Sequence, residues 1–295
     1  MDASTTRTPE PTARARELLP AMRLLLAAFS LLTAMAVVAL FVLAEQTDET
    51  FAWTIQPPLT AAFLGAGYAA GCVLVALSLR DAVWARTRVP LLTILVFVVL
   101  TLAATLLHLD RFHFSAEFAA GPAIARAAAW FWLAVYVVVP LAMLALLLPQ
   151  ERAPGTDPPA RAPVPAVLRG LLGAESVLLT AVGAALFAAP STATTLWPWP
   201  LTPLTARVVA AWLVAFGVAT ALAAIAGDLE RLRTAAIAYT VFGVLVAVAV
   251  ARFAGTVEWG EPAAWVFAVA VVAVVGTGAA GWRLAPTPEG RRRHG

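Results

Sequence analysis

Two segments of the chain combine tryptophan, proline and threonine in a pattern that could enclose a small molecule. Residues 45–60 and 191–205 both end in Pro-Leu-Thr, with tryptophan shortly before it. The tryptophans are Trp53, Trp197 and Trp199, and the threonines are Thr60 and Thr205. Proline fixes φ and lacks a backbone donor, so both segments are predicted to stay rigid until a helix begins at the proline. They are interpreted either as aromatic lips over a binding site or as a tryptophan belt at a membrane interface.

Three basic side chains near the ends of neighbouring apolar stretches could supply charge to the same site. They are His108, Arg207 and Arg252. A charge inside a membrane span costs about 2.5–3.5 kcal/mol on insertion scales, so such a residue usually faces a partner or water. Together with the tryptophans and threonines, these residues predict a substrate-binding site for a small polar or anionic solute. The alternative is that they pair with carboxylates at the membrane interface.

The remaining reactive groups predict no metal, no cofactor and no catalytic residue. His108 and His113 are five residues apart, whereas a zinc-binding pair on one helix face is typically four apart and has a third ligand. Cys72 is the single cysteine, so no intramolecular disulfide forms. The motifs of phosphate-binding loops, zinc proteases and serine hydrolases are absent from the sequence. The chain is therefore not expected to be an enzyme.

Glu175 is the one acidic residue well inside an apolar stretch. An acid in this position can serve as a proton-coupling carboxylate in a transporter. It can also lie near the cytoplasmic interface and accept hydrogen bonds from a neighbouring helix. The second interpretation is preferred, since the corresponding positions in the first part of the chain, Ala28 and Phe29, are not acidic.

The composition decides the class of protein. Hydrophobic residues make up 61% of the 295 residues and charged residues 13%, with a mean hydropathy of +0.86; soluble domains carry about 25% charged residues. Eight stretches have the roughly 20 apolar residues that a membrane-spanning helix needs, and their polarity does not alternate as in a barrel. They cover residues 19–44, 58–79, 89–109, 123–148, 166–189, 204–226, 234–254 and 263–282. The predicted fold is all-α, a polytopic transmembrane bundle of eight helices that contacts the lipid bilayer.

The arginines predict the orientation of the bundle. Most lie in the two terminal segments and in the connections after the second, fourth and sixth spans. The opposite side carries only Arg111, Arg126, Arg207 and Arg252. Because basic residues concentrate on the cytoplasmic side, both termini are predicted to be cytoplasmic, in a bacterial plasma membrane. The first span is expected to be kept rather than cleaved as a signal peptide. A net charge of +3 is too small to indicate nucleic acid.

The sequence also contains an internal repeat. Leu31-Leu32-Thr33-Ala34 recurs 147 residues later, and Pro58-Leu59-Thr60-Ala61 recurs 145 residues later. Four spans in each half give two parallel repeats related by a pseudo-two-fold axis along the membrane normal. The predicted organisation is a disordered cytoplasmic tail (1–18), a first four-helix repeat (19–149), a proline-rich linker (150–165), a second four-helix repeat (166–284) and a basic tail (285–295).

Three segments of the sequence resemble segments of other membrane proteins. Phe51-Ala52-Trp53-Thr54-Ile55, the segment from Trp197 to Thr205, and Leu107-His108-Leu109-Asp110-Arg111-Phe112-His113-Phe114 resemble segments of uncharacterised multi-pass integral membrane proteins of GC-rich bacteria. The resemblance implies a membrane location and carries no activity, so no residue role follows from it.

Three functions remain open from the sequence. The first is a binding or permease-like protein with an outer-facing site between the repeats, formed by the eight residues above. The second is a structural or accessory membrane subunit with a membrane protein partner, whose tryptophans and arginines only anchor it. The third, ranked last, is a membrane enzyme on a lipid-linked substrate, with Asp110 and His108 as acid–base residues.

Overall fold

The computed structural model of the chain describes residues 14–286 and consists of helices and their connections. Eight helices are long and apolar enough to cross a membrane. They are α1 (Pro20–Val37), α2 (Pro58–Asp81), α3 (Trp84–Leu106), α4 (Ala123–Glu151), α5 (Ala166–Ala188), α6 (Pro203–Ala226), α7 (Leu229–Arg252) and α8 (Pro262–Leu284). A π-helical turn over Val38–Val42 continues α1. The predicted eight-helix all-α fold is confirmed, and the chain is a multi-pass integral membrane protein.

Two helices begin five residues before their predicted starts, α3 at Trp84 and α7 at Leu229. The first turns of both carry charged residues, which lower the hydropathy but not the helix propensity. At α7 the start is fixed by a cap, since the Asp228 carboxylate accepts a hydrogen bond from the Glu230 backbone N–H at 3.2 Å. Apolar content thus marks the membrane-embedded part of a helix and not its ends.

Four helices form the centre of the bundle and four surround it. Within the first half α1 packs on α2 and α3 on α4; within the second, α5 packs on α6 and α7 on α8. The halves meet where α2 packs on α7 and α3 on α6. The most apolar window of α2 is 67% buried, whereas that of α5 is 17% buried. The outer helices therefore present apolar side chains to lipid, as expected of a membrane bundle.

Small residues let the helices approach closely. A Cβ atom on Gly278 of α8 would lie 2.8 Å from the backbone nitrogen of Thr240 on α7. One on Gly65 of α2 would lie 2.6 Å from the backbone nitrogen of Phe41 in the π-helical turn. Contacts this close between backbones are typical of membrane helices, in which packing replaces the hydrophobic effect.

The connections gather on two opposite faces. The terminal face comprises residues 14–19 and the connections 82–83, 152–165 and 227–228, and the tryptophan face comprises the connections 43–57, 107–122, 189–202 and 253–261. On the terminal face the Arg88 guanidinium lies 2.8 Å from Glu151 and 3.1 Å from Asp157. The pair with Asp157 fixes the proline-rich linker to α3, and the pair with Glu151 joins α3 to α4.

Residues 14–18, which were predicted to belong to a disordered tail, are ordered by backbone pairing. The Arg16 N–H donates to the Thr156 carbonyl at 3.0 Å, and the Leu18 N–H donates to Ala82 at 3.0 Å. Polar composition alone did not reveal these partners, because the linker and a helix connection supply them. The rest of the predicted tails, residues 1–13 and 287–295, lies outside the described residues.

Candidate functional site

Trp53 is buried in an aromatic cluster at the tryptophan face. Its ring centroid lies 4.9 Å from that of Phe51, 5.2 Å from that of Phe112 and 4.9 Å from that of Trp132. Only 2% of the residue is exposed. Aromatic packing of this kind, tilted or edge-to-face, stabilises a connection on top of the helices. Trp53 therefore anchors the first tryptophan segment to the helices through contacts with other aromatic rings.

Trp197 and Trp199 fill the junction between the halves on the same face. Their rings pack at 5.3 and 6.1 Å, between centroids, from the ring of Phe63 on α2. The Trp199 indole N–H donates to the hydroxyl of Thr60, also on α2, at 2.9 Å. The second tryptophan segment is thus joined to the first half by both packing and a buried hydrogen bond. We call this junction, formed by Phe63, Thr60, Trp197 and Trp199, the tryptophan seam.

Thr205 uses its hydroxyl to start a helix. The Thr202 backbone N–H donates to the Thr205 hydroxyl at 2.9 Å, and the Thr205 N–H donates to the Thr202 hydroxyl at 3.3 Å. This reciprocal pair is a capping box, here formed by two threonines at the first turn of α6. The residue is wholly buried, so its hydroxyl serves the backbone.

Arg207 and His108 are brought together across the two halves. The Arg207 guanidinium donates to His108 Nε2 at 2.7 Å and, through Nε, to the Phe187 carbonyl at 3.0 Å. Arginine has no acceptor atom, so His108 Nε2 must carry no proton and the ring is neutral in this arrangement. Burial, followed by the positive charge of Arg207, lowers the pKa of His108 from its usual 6.5.

Arg252 lies apart from this pair. Its guanidinium donates to the Phe41 carbonyl in the π-helical turn at 2.8 Å and covers the Phe253 ring at 4.7 Å from the centroid. A π-helical turn leaves carbonyls without their usual partners, and the arginine satisfies one of them. The eight predicted residues therefore form separate contacts, of which Trp199–Thr60 and Arg207–His108 are direct pairs, and the single shared site stays a prediction.

His113 links two of the connections on the tryptophan face. Its Nδ1 donates to the Phe51 carbonyl at 2.8 Å, and its Nε2 lies 3.1 Å from the Thr54 hydroxyl. Both ring nitrogens are engaged with the first tryptophan segment, so the residue ties two connections together. Within residues 14–286 no group of three or more histidine, cysteine or acidic side chains is placed to hold a metal ion.

An apolar cavity of about 90 Å³ lies between the halves, on the side of the terminal face. It extends from Val164 in the linker to Phe29 midway along α1, and it is partly open. Its lining includes aromatic rings and small residues, among them Phe97, Trp212, Phe216, Gly71, Ala223 and Gly281. We call it the central cavity. Of the eight predicted site residues none lines it; Trp197 lines a separate apolar cavity between α5 and α8.

Glu175 lies directly behind the wall of the central cavity. Its carboxylate accepts hydrogen bonds from the Thr277 hydroxyl on α8 at 2.7 Å and from the Tyr239 hydroxyl on α7 at 3.2 Å. Both hydroxyl-bearing residues line the cavity. Glu175 lies nine positions after Ala166, the first residue of α5, which is about 13 Å at 1.5 Å per residue. The predicted hydrogen bond to a neighbouring helix is present, but the predicted position near the membrane interface is not, because Glu175 lies deep in the span.

No protein-family model, no curated protein and no solved structure matches this chain. The resemblance of the quoted strings to bacterial membrane proteins therefore stays a prediction, and the function must be argued from the site itself.

The central cavity was not predicted from the sequence. Its lining comes from seven helices and the linker, and each contributes only a few side chains. The available signals were the glycines of α2 and α8 and the isolated acid Glu175. Glycine spacing in a span indicates close packing, and it does not distinguish a filled contact from a hollow one.

Proposed function

We propose that this integral membrane protein binds a small apolar or amphipathic molecule in the central cavity, with the tryptophan seam as the closed side of the pathway. The observation that carries the proposal is the asymmetry of the junction between the halves. At the tryptophan face the indole rings of Trp197 and Trp199 pack on Phe63 of the other half, and towards the terminal face the junction encloses an apolar cavity. Concave apolar sites between helices are the usual location of small-molecule binding.

The proposal includes the two parallel four-helix repeats. Corresponding backbone contacts support them: the Leu18 N–H donates to Ala82 and the Val164 N–H donates to Gly227, both at 3.0 Å. The acceptors follow α2 and α6, which are corresponding helices, and both have left-handed backbone conformations. Repeats around a central site are a common architecture of transporters, in which one half rocks against the other.

The proposed ligand is apolar or amphipathic, whereas the sequence suggests a polar or anionic solute. Arg207 and Arg252 already donate to His108, Phe187 and Phe41. A polar or anionic solute would need these guanidinium groups to break their present hydrogen bonds. The central cavity is lined by aromatic and aliphatic side chains, which favour a ligand with a large apolar part.

The orientation and the location are part of the same proposal. The arginine distribution places the terminal face in the cytoplasm of a bacterium and the tryptophan face outside. The central cavity would then open towards the cytoplasmic side of the plasma membrane. The described structure would be an inward-facing one, with exchange of the ligand through the cytoplasmic half.

Cysteine accessibility tests the proposal. In a Cys72→Ala background, single cysteines replace Ala223 in the cavity and Thr60 and Thr205 at the tryptophan face, and a membrane-impermeant maleimide is added to right-side-out and to inverted vesicles. Arg161→Cys and Glu49→Cys are exposed controls for the two faces. We expect Ala223→Cys and Arg161→Cys to react only in inverted vesicles, Glu49→Cys only in right-side-out vesicles, and the two threonine positions in neither.

Two other results would contradict the proposal. Reaction of Thr60→Cys or Thr205→Cys in right-side-out vesicles would favour the outer-facing site that the sequence predicts. Unreactive Ala223→Cys beside a reactive Arg161→Cys would indicate a packed seam and favour the second function, an accessory subunit that binds another membrane protein.

A further inference from the structure

Glu175 has no positively charged partner within residues 14–286. Among the described residues it forms no ion pair, and its two hydrogen-bond donors are the neutral hydroxyls of Thr277 and Tyr239. Arg169, on the same helix, lies beside Gly227 at the terminal face. Glu175 is 8% exposed. An ionised carboxylate at this depth is costly unless it meets a proton or a cation.

The surroundings of the carboxylate are suited to a cation with an apolar body. The Phe97 ring stacks on Trp212 at 3.8 Å, and Trp212 stacks on Phe216 at 5.5 Å between centroids. Phe216 in turn lies 5.7 Å from the ring of Tyr239. A row of aromatic rings thus runs along the cavity and ends at the donor of the Glu175 hydrogen bond. Aromatic faces attract cations, and the attraction strengthens where water is excluded.

We propose that Glu175 is the charge-recognition residue for an amphipathic organic cation whose apolar part occupies the central cavity. This inference rests on the proposed function, because it assigns the ligand class of that same cavity. Two hydrogen bonds leave the carboxylate with further acceptor positions, and its two donors, Thr277 and Tyr239, line the cavity, so the carboxylate lies beside the space for the ligand. A cation within a few ångströms would supply the positive charge that no described residue provides.

An isosteric pair of probes separates charge from shape. Benzyltrimethylammonium is cationic, and neopentylbenzene has the same shape with a carbon in place of the nitrogen. The full chain in nanodiscs of zwitterionic lipid is heated with each probe, and the shift of the thermal midpoint gives the affinity. We expect the cation to bind the wild-type protein at least about tenfold more tightly than it binds Glu175→Gln, because a buried charge pair is lost. Neopentylbenzene should bind both proteins equally.

Two further variants keep the test decisive if Glu175→Gln does not fold. The double variant Thr277→Val with Tyr239→Phe removes both hydrogen bonds but retains the carboxylate, so the shift produced by the cation should be at least as large as in the wild type. Glu17→Gln, which neutralises an exposed acid paired with Arg23 at 2.9 Å, should leave it unchanged.

The outcomes distinguish this inference from the proposed function. Binding of neopentylbenzene without any preference for the cation would overturn the assignment of Glu175 and leave the cavity as an apolar site. An undiminished response of Glu175→Gln to the cation, or a lost response in the double variant, would also overturn it. If neither probe shifts the midpoint of the wild-type protein, the proposed function fails as well.

Discussion

The two halves meet through indole rings at the tryptophan face and across an apolar cavity nearer the terminal face. In the tryptophan seam, Trp199 is 1% exposed and donates to Thr60 of the other half. In the cavity, Trp212 is also buried, but its indole N–H has no partner among the described residues. The same residue type therefore bonds across the junction at one end, through Trp199, and lines a space at the other, through Trp212.

The largest expected effect comes from removing a ring of the tryptophan seam. Trp199→Ala leaves a cavity between the halves and should lower the free energy of unfolding by about 3–5 kcal/mol. Trp130→Ala is the matched control, since Trp130 lies on α4 and is 60% exposed. Unfolding in detergent, followed by far-UV circular dichroism, measures both variants. Equal losses would show that the seam is no better packed than the lipid-facing surface.

A smaller effect is expected from close packing on the side of the central cavity. Gly278→Ala places a methyl group 2.8 Å from the Thr240 backbone nitrogen and should cost about 1–3 kcal/mol in unfolding free energy. Gly276→Ala, two residues earlier on α8, has open space around its added Cβ atom. Thermal midpoints of the two variants give the comparison. If Gly276→Ala is destabilised as well, the cost of Gly278→Ala would come from the loss of helix flexibility and not from contact with α7.

The hydrogen bond across the seam should contribute about 1 kcal/mol. Trp199→Phe removes the donor, Thr60→Val removes the acceptor, and the double variant removes both. Because the lone Thr60 hydroxyl would be left buried without its partner, we expect the double variant to be more stable than the sum of the two single changes predicts. If the loss of unfolding free energy in the double variant equals the sum of the two single losses, the bond does not hold the halves together.

The smallest effect concerns pH at the tryptophan face. Since burial and Arg207 lower the pKa of His108 in the folded protein, the unfolded chain takes up the proton first as the pH falls below 6.5. The contribution of His108 to stability is therefore present above that value and decreases below it. The thermal midpoint of the wild type should fall more between pH 7.5 and pH 5.5 than that of His108→Gln. Parallel curves would contradict the neutral Arg207–His108 pair.

The sequence predicted the helices better than the contacts between them. The eight spans follow from apolar content, and the prolines at Pro58 and Pro203 mark where α2 and α6 begin. The eight predicted site residues were grouped together because all of them lie near the same end of the spans. Depth follows from distance along a helix, but it leaves the rotation of each helix undetermined, so residues at one level can face different neighbours.

What the sequence by itself determined is a bundle of eight membrane-spanning helices with most of its arginines on one side. In lipid every backbone polar group must be satisfied within its own helix, so apolar content is sufficient to define the elements. Only the tertiary structure decided that Arg207 meets His108, that Trp199 meets Thr60, and that Glu175 lies behind a cavity. These contacts depend on how closely the helices approach one another, and packing at a few small residues sets that distance.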